Sequence, residues 1–224
     1  MHAAHTAFLL GAGLFWTVAY LLLIRTGLRE RTFGMPVVAF ATNISWEFMF
    51  AFVRPPSGIG HVINIVWFTF DLAVGYTLVR FGRAEFPHLP DRLFLPALAA
   101  LLLLAYPGMN YASEQFDEGA SVLTAFASNL AMSGMFLAML AARRGTRGQS
   151  PGIAVTKLLG TACASLTMLT DPDRDPRYDN ALMYYLYIGC LVLDLAYVYA
   201  VFAVRRAGDT AHSGVPAAQG ALRR

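Results

Sequence analysis

Seven long apolar stretches run along this chain, and they constrain its fold more than any other feature. Each approaches the roughly 20 residues that an α-helix needs to cross the hydrocarbon core of a bilayer. Charged residues make up only 14% of the sequence, whereas a soluble domain carries about a quarter. The sequence therefore predicts an all-α, multi-pass membrane protein, a bundle of seven transmembrane helices. The predicted spans are residues 6–24, 36–53, 60–79, 93–109, 120–142, 152–170 and 182–204.

The distribution of basic residues orients this bundle. The connections after the first, third and fifth spans and the segment after the seventh hold most of the 17 lysines and arginines. Lys157, near the start of the sixth span, is included with the basic residues of these connections. The positive-inside rule then places the N-terminus outside and the C-terminus in the cytoplasm, with the protein in the cell membrane. We expect residues 1–206 to form the transmembrane domain and residues 207–224 to form a disordered cytoplasmic tail.

Three acidic residues interrupt the predicted spans. Glu47, Asp71 and Asp194 lie in the second, third and seventh spans, about 9 to 18 Å from the predicted outer ends at 1.5 Å per residue. A charged residue near the bilayer centre costs about 2.5–3.5 kcal/mol on insertion scales, so it normally marks a functional site. Because no arginine or lysine is predicted beside them within the spans, these carboxyl groups must be hydrogen-bonded, protonated or hydrated.

Helical spacing gives each acidic residue amide, hydroxyl or aromatic neighbours on its own face of the helix. Interhelical hydrogen bonding for the amides and simple packing for the rings remain open alternatives, and Trp16 and Tyr20 are interpreted as packing or interface residues. We expect one pocket, lined by the second, third and seventh spans, to contain all three carboxyl groups. The residues predicted to line it are Asn43, Trp46, Asn64, Trp67, Phe68, Tyr187 and Tyr197.

The sequence gives little indication of a metal site, a disulfide bond or a nucleic-acid ligand. Residues 171–175 have aspartate at the first, third and fifth positions, as a calcium loop does, but Pro176 and Leu182 replace the glycine and glutamate that such a loop requires. Cys163 and Cys190 lie within predicted spans, where thiols pack as small apolar groups. No basic groove interleaved with aromatic residues indicates nucleic acid. We therefore expect neither a metal site nor a disulfide.

Two short motifs carry a resemblance to a known family. Residues 43–47 on the second span read N-x-x-W-E, and residues 193–197 on the last span read L-D-x-x-Y. On seven spans, this combination resembles the small integral-membrane terpene cyclases of fungal meroterpenoid and indole-diterpene pathways and of bacterial indolosesquiterpenoid pathways. The resemblance implies that Glu47 and Asp194 are the two acidic residues essential for cyclisation, whereas Asp71 is proposed from its position alone.

The residue chemistry fits a protonation-initiated, class II-like cyclase, which would be an isomerase or a lyase. A polyprenyl chain that cyclises without ionising a diphosphate needs a Brønsted acid to protonate a terminal alkene or epoxide, and the carbocations must then be shielded from water. Our hypothesis makes Glu47 the general acid, Trp46 and Trp67 cation-facing rings, and Asp194, alone or with Asp71, its partner or the terminal base. Such a reaction requires no metal or organic cofactor.

The resemblance also implies a hydrophobic, prenylated substrate. Sixteen of the 17 basic residues are arginine, a bias that suggests a GC-rich bacterial genome. For a bacterial enzyme the resemblance favours a farnesylated indole or another prenylated aromatic compound, and an epoxyfarnesyl phenolic remains open. A prenyltransferase and an epoxidase are the expected pathway partners.

Two other functions remain open from the sequence. A small 3+1+3 transporter would use the intramembrane carboxylates to bind a solute or a proton, and the repeat of D-L-A-x-x-Y at residues 71–76 and 194–199 supports it. A retinal-type receptor is disfavoured, because it needs a lysine in its last helix and the only lysine, Lys157, belongs to the sixth span.

Overall fold

The computed structural model describes residues 2–213, with side chains through residue 207. Seven long helices and a few short helical turns make up this part of the chain, and no strand occurs in it, which confirms the all-α prediction. The helices are α1 (His2–Glu30), α2 (Val37–Phe48), α3 (Ile59–Phe81), α4 (Asp91–Asp117), α5 (Val122–Arg143), α6 (Pro151–Thr170) and α7 (Ala181–Ser213). The predicted tail after residue 206 lies mostly outside the described residues.

Six of these helices are long and apolar enough to cross a bilayer. The exception is α2, which together with the turn that follows it covers only Val37–Val53. Large side chains face outward along the bundle: Leu103 and Leu104 of α4 are 75% and 72% exposed, and Tyr199 of α7 is 77% exposed. Extended apolar surface of this kind marks a lipid-facing exterior. The chain is a multi-pass membrane protein, and its seven-span count and its orientation stay predictions.

The interior of the bundle is built around two helices. The first, α1, packs along α6, and the second, α2, packs against α3, α4 and α5. The last helix, α7, packs against α5 and α6. Large side chains from α1, α2, α5 and α7 meet in the buried core, among them Tyr20, Phe40, Met132, Phe136 and Tyr197. This packing brings the polar residues of the same helices close to one another.

The end of α2 changes from α-helical to π-helical hydrogen bonding at Met49–Val53, two residues after Glu47. The backbone N–H of Arg54 donates to the Met49 carbonyl over 2.8 Å, five residues back. Two side chains of α3 donate to other carbonyl groups of this turn, Asn64 over 3.2 Å and His61 over 2.9 Å. Such turns are frequent at functional sites, and these bonds fix how the end of α2 meets α3.

A hydrogen-bonded network holds the Arg-rich end of the bundle together. The Arg143 guanidinium lies 4.4 Å from the centre of the Phe33 ring and donates to the Phe33 carbonyl over 2.9 Å. Arg147 Nη1 is 2.9 Å from Glu85 Oε1, and Thr32 Oγ1 donates to the same oxygen over 2.7 Å. These bonds tie together the connections that follow α1, α3 and α5, so the Arg-rich connections form a structured layer.

At the opposite end, Asp117 joins α4, α5 and the loop before α7. One of its carboxylate oxygens accepts from the Leu123 N–H over 2.8 Å, and the other accepts from Tyr178 Oη over 2.7 Å. Burial and the hydrogen bond to Asp117 raise the pKa of Tyr178. In the aspartate-rich loop, Asp175 is paired with Arg177. Among the residues whose side chains are described, no group of three or more His, Cys, Asp and Glu residues is placed to hold a metal ion.

Candidate active site

A cavity of about 240 Å³ lies between α1, α2, α3, α5 and α6. Its walls are mainly apolar, and Asn43 and Glu47 are among its few polar side chains. Ser121, just before α5, and Thr167, in the last turn of α6, line the part of the cavity nearest the Asp117 end of the bundle. An apolar cavity with a small number of polar groups is typical of a site for a hydrophobic ligand.

Glu47 belongs to a hydrogen-bonded network of four side chains from three helices. Its side chain is buried, and its Oε1 accepts a hydrogen bond from Tyr20 Oη over 3.4 Å. Asn43 Nδ2 donates to Tyr20 Oη over 2.6 Å and to Asp71 Oδ2 over 2.8 Å. The network therefore connects the carboxyl groups of α2 and α3, although Asp71 itself does not line the cavity. It includes Tyr20 of α1, for which the sequence indicates only a packing or interface role.

The two carboxyl groups of this network have no cationic partner. In the part of the chain with described side chains, no lysine or arginine pairs with Glu47 or Asp71. Glu47 Oε2 and Asp71 Oδ1 are buried and accept no hydrogen bond there. Glu47 lines the cavity together with Tyr20 and Asn43, and its second oxygen has no hydrogen-bond donor within the described part of the chain.

Three indole rings line the same cavity, those of Trp16, Trp46 and Trp67. Trp46 Nε1 donates to Thr124 Oγ1 over 3.2 Å, and Trp67 Nε1 donates to Thr17 Oγ1 over 3.3 Å. These bonds anchor the polar edges of Trp46 and Trp67 to neighbouring helices and fix the orientation of both rings in the wall. The predictions for the positions of Trp46 and Trp67 agree with this arrangement, whereas Trp16 had been assigned to packing.

The position of Trp16 depends on a glycine behind it. Gly160 of α6 has no side chain, and a Cβ placed there would lie only 2.7 Å from Trp16 Cδ1 and 3.0 Å from its Nε1. Both distances are too short for ordinary contacts between heavy atoms. The indole ring can therefore lie against α6 only because residue 160 is glycine.

A second polar centre surrounds Asp194. Lys157 Nζ lies 2.6 Å from Asp194 Oδ1, and both side chains are fully buried. The prediction that no intramembrane cation would be available to the acidic residues is therefore wrong. Lys157 lies six residues after Pro151 at the start of α6, about 9 Å along the helix at 1.5 Å per residue. At that depth its side chain faces the interior of the bundle, where its long stem brings the ammonium group to α7.

The expectation of one pocket holding all three carboxyl groups is wrong. The cavity is lined from α1, α2, α3, α5 and α6, and neither Asp194 nor any other described residue of α7 lines it. Asn129 connects the second polar centre to the cavity wall, because it lines the cavity and accepts a hydrogen bond from Lys157 over 3.1 Å. Since Asp194 and Lys157 face each other across the α6–α7 interface, they lie behind the cavity wall.

Four other predicted lining residues lie outside the cavity. Asn64 bonds to the π turn of α2, as described above, and Phe68 packs 5.2 Å from the half-exposed Phe52 ring on the outer side of the bundle. Tyr187 and Tyr197 are buried against phenylalanine rings of α5, with centroid separations of 4.7 and 5.2 Å. Helical spacing shows which residues share a face of a helix. It does not show whether that face lines the cavity or packs against another helix.

The residues missed from the sequence carry recognisable signals. Lys157 and Asn129 are polar residues within apolar stretches, and the rule that such residues face the bundle interior applies to both. Trp16 and Tyr20 are four residues apart and therefore share one face of α1. That face was interpreted as a packing or interface surface, since no acidic residue lies in the first span.

The bundle is all-helical and lies in the membrane, and its buried carboxyl network faces an aromatic cavity. These features indicate a membrane protein that binds a hydrophobic ligand. The chain belongs to the Pyr4-like transmembrane terpene cyclases, since the sequence model of that family matches residues 1–207. The resemblance inferred from the two motifs is thereby confirmed. Members of this family are terpene cyclases, so the protein is an enzyme.

Individual relatives agree with this assignment. The chain is 31% identical over 201 residues to the Pyr4-family terpene cyclase mfmH of Annulohypoxylon moriforme, covering 84% of this chain and 82% of that protein. It is 29% identical to the terpene cyclase cle7 of Aspergillus versicolor, over 87% of this chain and 85% of the relative. It is 26% identical to the terpene cyclase pyr4 of Aspergillus fumigatus, over 88% and 86%. These relatives are fungal, and the bacterial origin stays a prediction. No solved structure matches the chain.

Proposed function

We propose that this cyclase protonates a terminal alkene or epoxide of a prenylated aromatic compound, with Glu47 as the proton donor. The observation that carries the proposal is the network in which Tyr20, Asn43 and Asp71 surround Glu47 at the cavity wall. Family membership supports an enzyme over the transporter and the receptor considered from the sequence.

The hydrogen-bonding pattern suits a carboxylic acid with its proton on the cavity side. Tyr20 donates to Glu47 Oε1, which leaves Oε2 as the oxygen that carries the proton. Burying an unpaired charge costs far more free energy than burying a neutral acid, and two adjacent carboxylates would also repel each other. In our proposal the pair formed by Glu47 and Asp71 therefore holds at least one proton and delivers it from Glu47.

The remaining steps need only a dry, aromatic cavity. Proton addition to the terminal alkene or epoxide produces a carbocation, which a second alkene of the same chain attacks to close a ring. Each ring face of Trp16, Trp46 or Trp67 can stabilise such a cation by about 0.5–2 kcal/mol. The apolar walls keep water away from the cation while the rings close. The reaction ends when the cation loses a proton or is captured by a water molecule that then loses one. Where a proton is lost, the carboxyl pair is the proposed acceptor, and no co-reactant is consumed.

The proposed substrate is a farnesylated indole or another prenylated aromatic compound, with an epoxyfarnesyl phenolic as the alternative. Its prenyl chain suits the apolar walls, and its lipophilicity suits delivery from the bilayer. A prenyltransferase would supply the alkene form of the substrate, and an epoxidase acting after it would supply the epoxide form. The class II-like mechanism requires no cofactor at this step.

The Glu47→Gln variant tests the proposal. Glutamine keeps the shape of the side chain and its acceptor oxygen but cannot donate a carboxylic proton, so we expect the rate of cyclisation to fall about 10²- to 10⁴-fold, the usual contribution of a general acid. Product from a farnesylated indole is measured in isolated membranes and normalised to inserted protein.

A matched control makes the same chemical change at the surface. Glu114 is exposed at the Asp117 end of the bundle, 3.1 Å from Arg54, and Glu114→Gln should retain the wild-type rate. Product at the wild-type rate from a well-inserted Glu47→Gln protein would exclude Glu47 as the acid.

A further inference from the structure

The buried ion pair of Lys157 and Asp194 completes a set of contacts behind the cavity wall. The ammonium group donates to Asp194 Oδ1 over 2.6 Å, to Ser133 Oγ over 2.6 Å and to Asn129 Oδ1 over 3.1 Å. An ammonium group has three N–H donors, so each of them has a partner. The group is therefore held in one position between α5, α6 and α7.

We propose that Lys157 and Asp194 form a positioning pair, which fixes Asn129 in the cavity wall and takes no part in proton transfer. This inference rests on the proposed function. Asn129 Nδ2 donates to Thr161 Oγ1 over 3.1 Å, and both residues line the cavity. Because the Asn129 carbonyl oxygen accepts from the ammonium group, the amide is held with this oxygen toward Lys157.

Charge balance explains why Asp194 has to accompany Lys157. The ammonium group lies 5.5 Å from the centre of the Trp16 ring, and that ring lines the cavity. An uncompensated positive charge at this distance would repel a carbocation formed in the cavity. Asp194 neutralises it, so the carboxylate is required as a counter-ion. In this inference Asp194 acts as a counter-ion and not as an acid or a base.

The pair is tested by removing its charges one at a time and together. Removing one partner of a buried ion pair leaves an uncompensated charge, whereas removing both often has little effect. We expect Asp194→Asn to lose at least tenfold in cyclised product per inserted protein. The double variant Lys157→Met/Asp194→Asn should recover at least tenfold over Asp194→Asn. A double variant that is as well inserted and as inactive as Asp194→Asn would assign the Asp194 carboxyl group to the chemistry and overturn the proposal.

A second readout concerns the products of Lys157→Met, in which Asp194 is still present. Without the ammonium group the Asn129 amide is free to turn its carbonyl oxygen toward the cavity. We therefore expect Lys157→Met to form a larger fraction of water-captured or alternatively cyclised products. A wild-type rate and product profile in Lys157→Met would contradict the positioning role.

Thermal unfolding in detergent separates this inference from the proposed function, because it needs no substrate. The unfolding temperature should fall for Asp194→Asn and recover in the double variant, and a failure to recover would refute the counter-ion role. A wild-type protein that forms no cyclised product from either a farnesylated indole or an epoxyfarnesyl phenolic would instead contradict the proposed function.

Discussion

Glu47 and Glu114 carry the same carboxyl group in opposite surroundings. Glu114 is exposed beside Arg54, where water and the guanidinium group stabilise its charge. Glu47 is 2% exposed and accepts one long hydrogen bond, from Tyr20. At the scale of single residues, the surroundings and not the residue type suit Glu47 to proton donation. The contribution of Tyr20 to those surroundings can be measured separately.

Tyr20→Phe removes the hydroxyl group that links Glu47 to Asn43. A hydrogen bond contributes about 0.5–1.5 kcal/mol net, so we expect the rate of cyclisation to fall about 2- to 10-fold, far less than for Glu47→Gln. Product formation in isolated membranes provides the measurement. Tyr199→Phe is the control, because that side chain is 77% exposed on the outer face of α7. Equal rates for the Tyr20 variant and the wild type would show that the hydroxyl group does not assist Glu47.

The sequence predicted some of the candidate site and missed the rest for a physical reason. A carboxyl group within an apolar stretch is expensive unless it faces the interior, so Glu47, Asp71 and Asp194 could all be selected. Which interior space each one faces depends on how the helices rotate against one another. That rotation follows from packing between distant residues, which is why Asp194 was predicted in the cavity and lies beside Lys157 instead.

At the scale of elements, the π turn after Glu47 sets the end of α2. Two of its backbone carbonyl groups accept hydrogen bonds from side chains of α3. The carbonyl groups of the turn therefore do not all follow the hydrogen-bonding pattern of an α-helix. Apolar composition predicts where a span lies, but it carries no information on a one-residue change in helical hydrogen bonding. The turn could therefore not be predicted, although the span at residues 36–53 agrees closely with the helix and its turn.

Asn64→Ala tests the link between α3 and this turn. The Phe50 carbonyl loses a buried donor, and an unsatisfied buried group costs about 1–3 kcal/mol. We expect a lower unfolding temperature in detergent. Thr69→Ala on the same helix is the control, because the Thr69 hydroxyl is exposed and donates to the Ile65 carbonyl within α3. Indistinguishable unfolding temperatures for the two variants would show that Asn64 does not stabilise the turn.

At the scale of the whole molecule, the bundle has two different ends. One is the Arg-rich layer held by Arg143, Arg147 and Glu85, and the other is the end that contains Asp117. Ser121 and Thr167 line the part of the cavity nearest the second end. The number and order of the long helices follow from the length and composition of the apolar stretches alone. Their orientation in the membrane rests on the charge difference between these two ends.

Cysteine labelling tests that orientation. Glu118 and Arg83 are exposed at the Asp117 end and the Arg-rich end, respectively. A membrane-impermeant maleimide should label Glu118→Cys in intact cells and should label Arg83→Cys only after permeabilisation, because the positive-inside rule places the Arg-rich end in the cytoplasm. The unsubstituted protein controls for the two native cysteines. The reverse labelling pattern would invert the topology.

Gly160 gives this architecture a route to new products. The missing side chain at residue 160 lets the Trp16 ring lie against α6 while it lines the cavity. Replacement by alanine or serine would move the indole ring and leave the carboxyl groups of Glu47 and Asp71 unchanged. Evolution could thus diversify the ring systems made by such a cyclase by single substitutions behind the wall, while selection preserves the acid that starts the reaction.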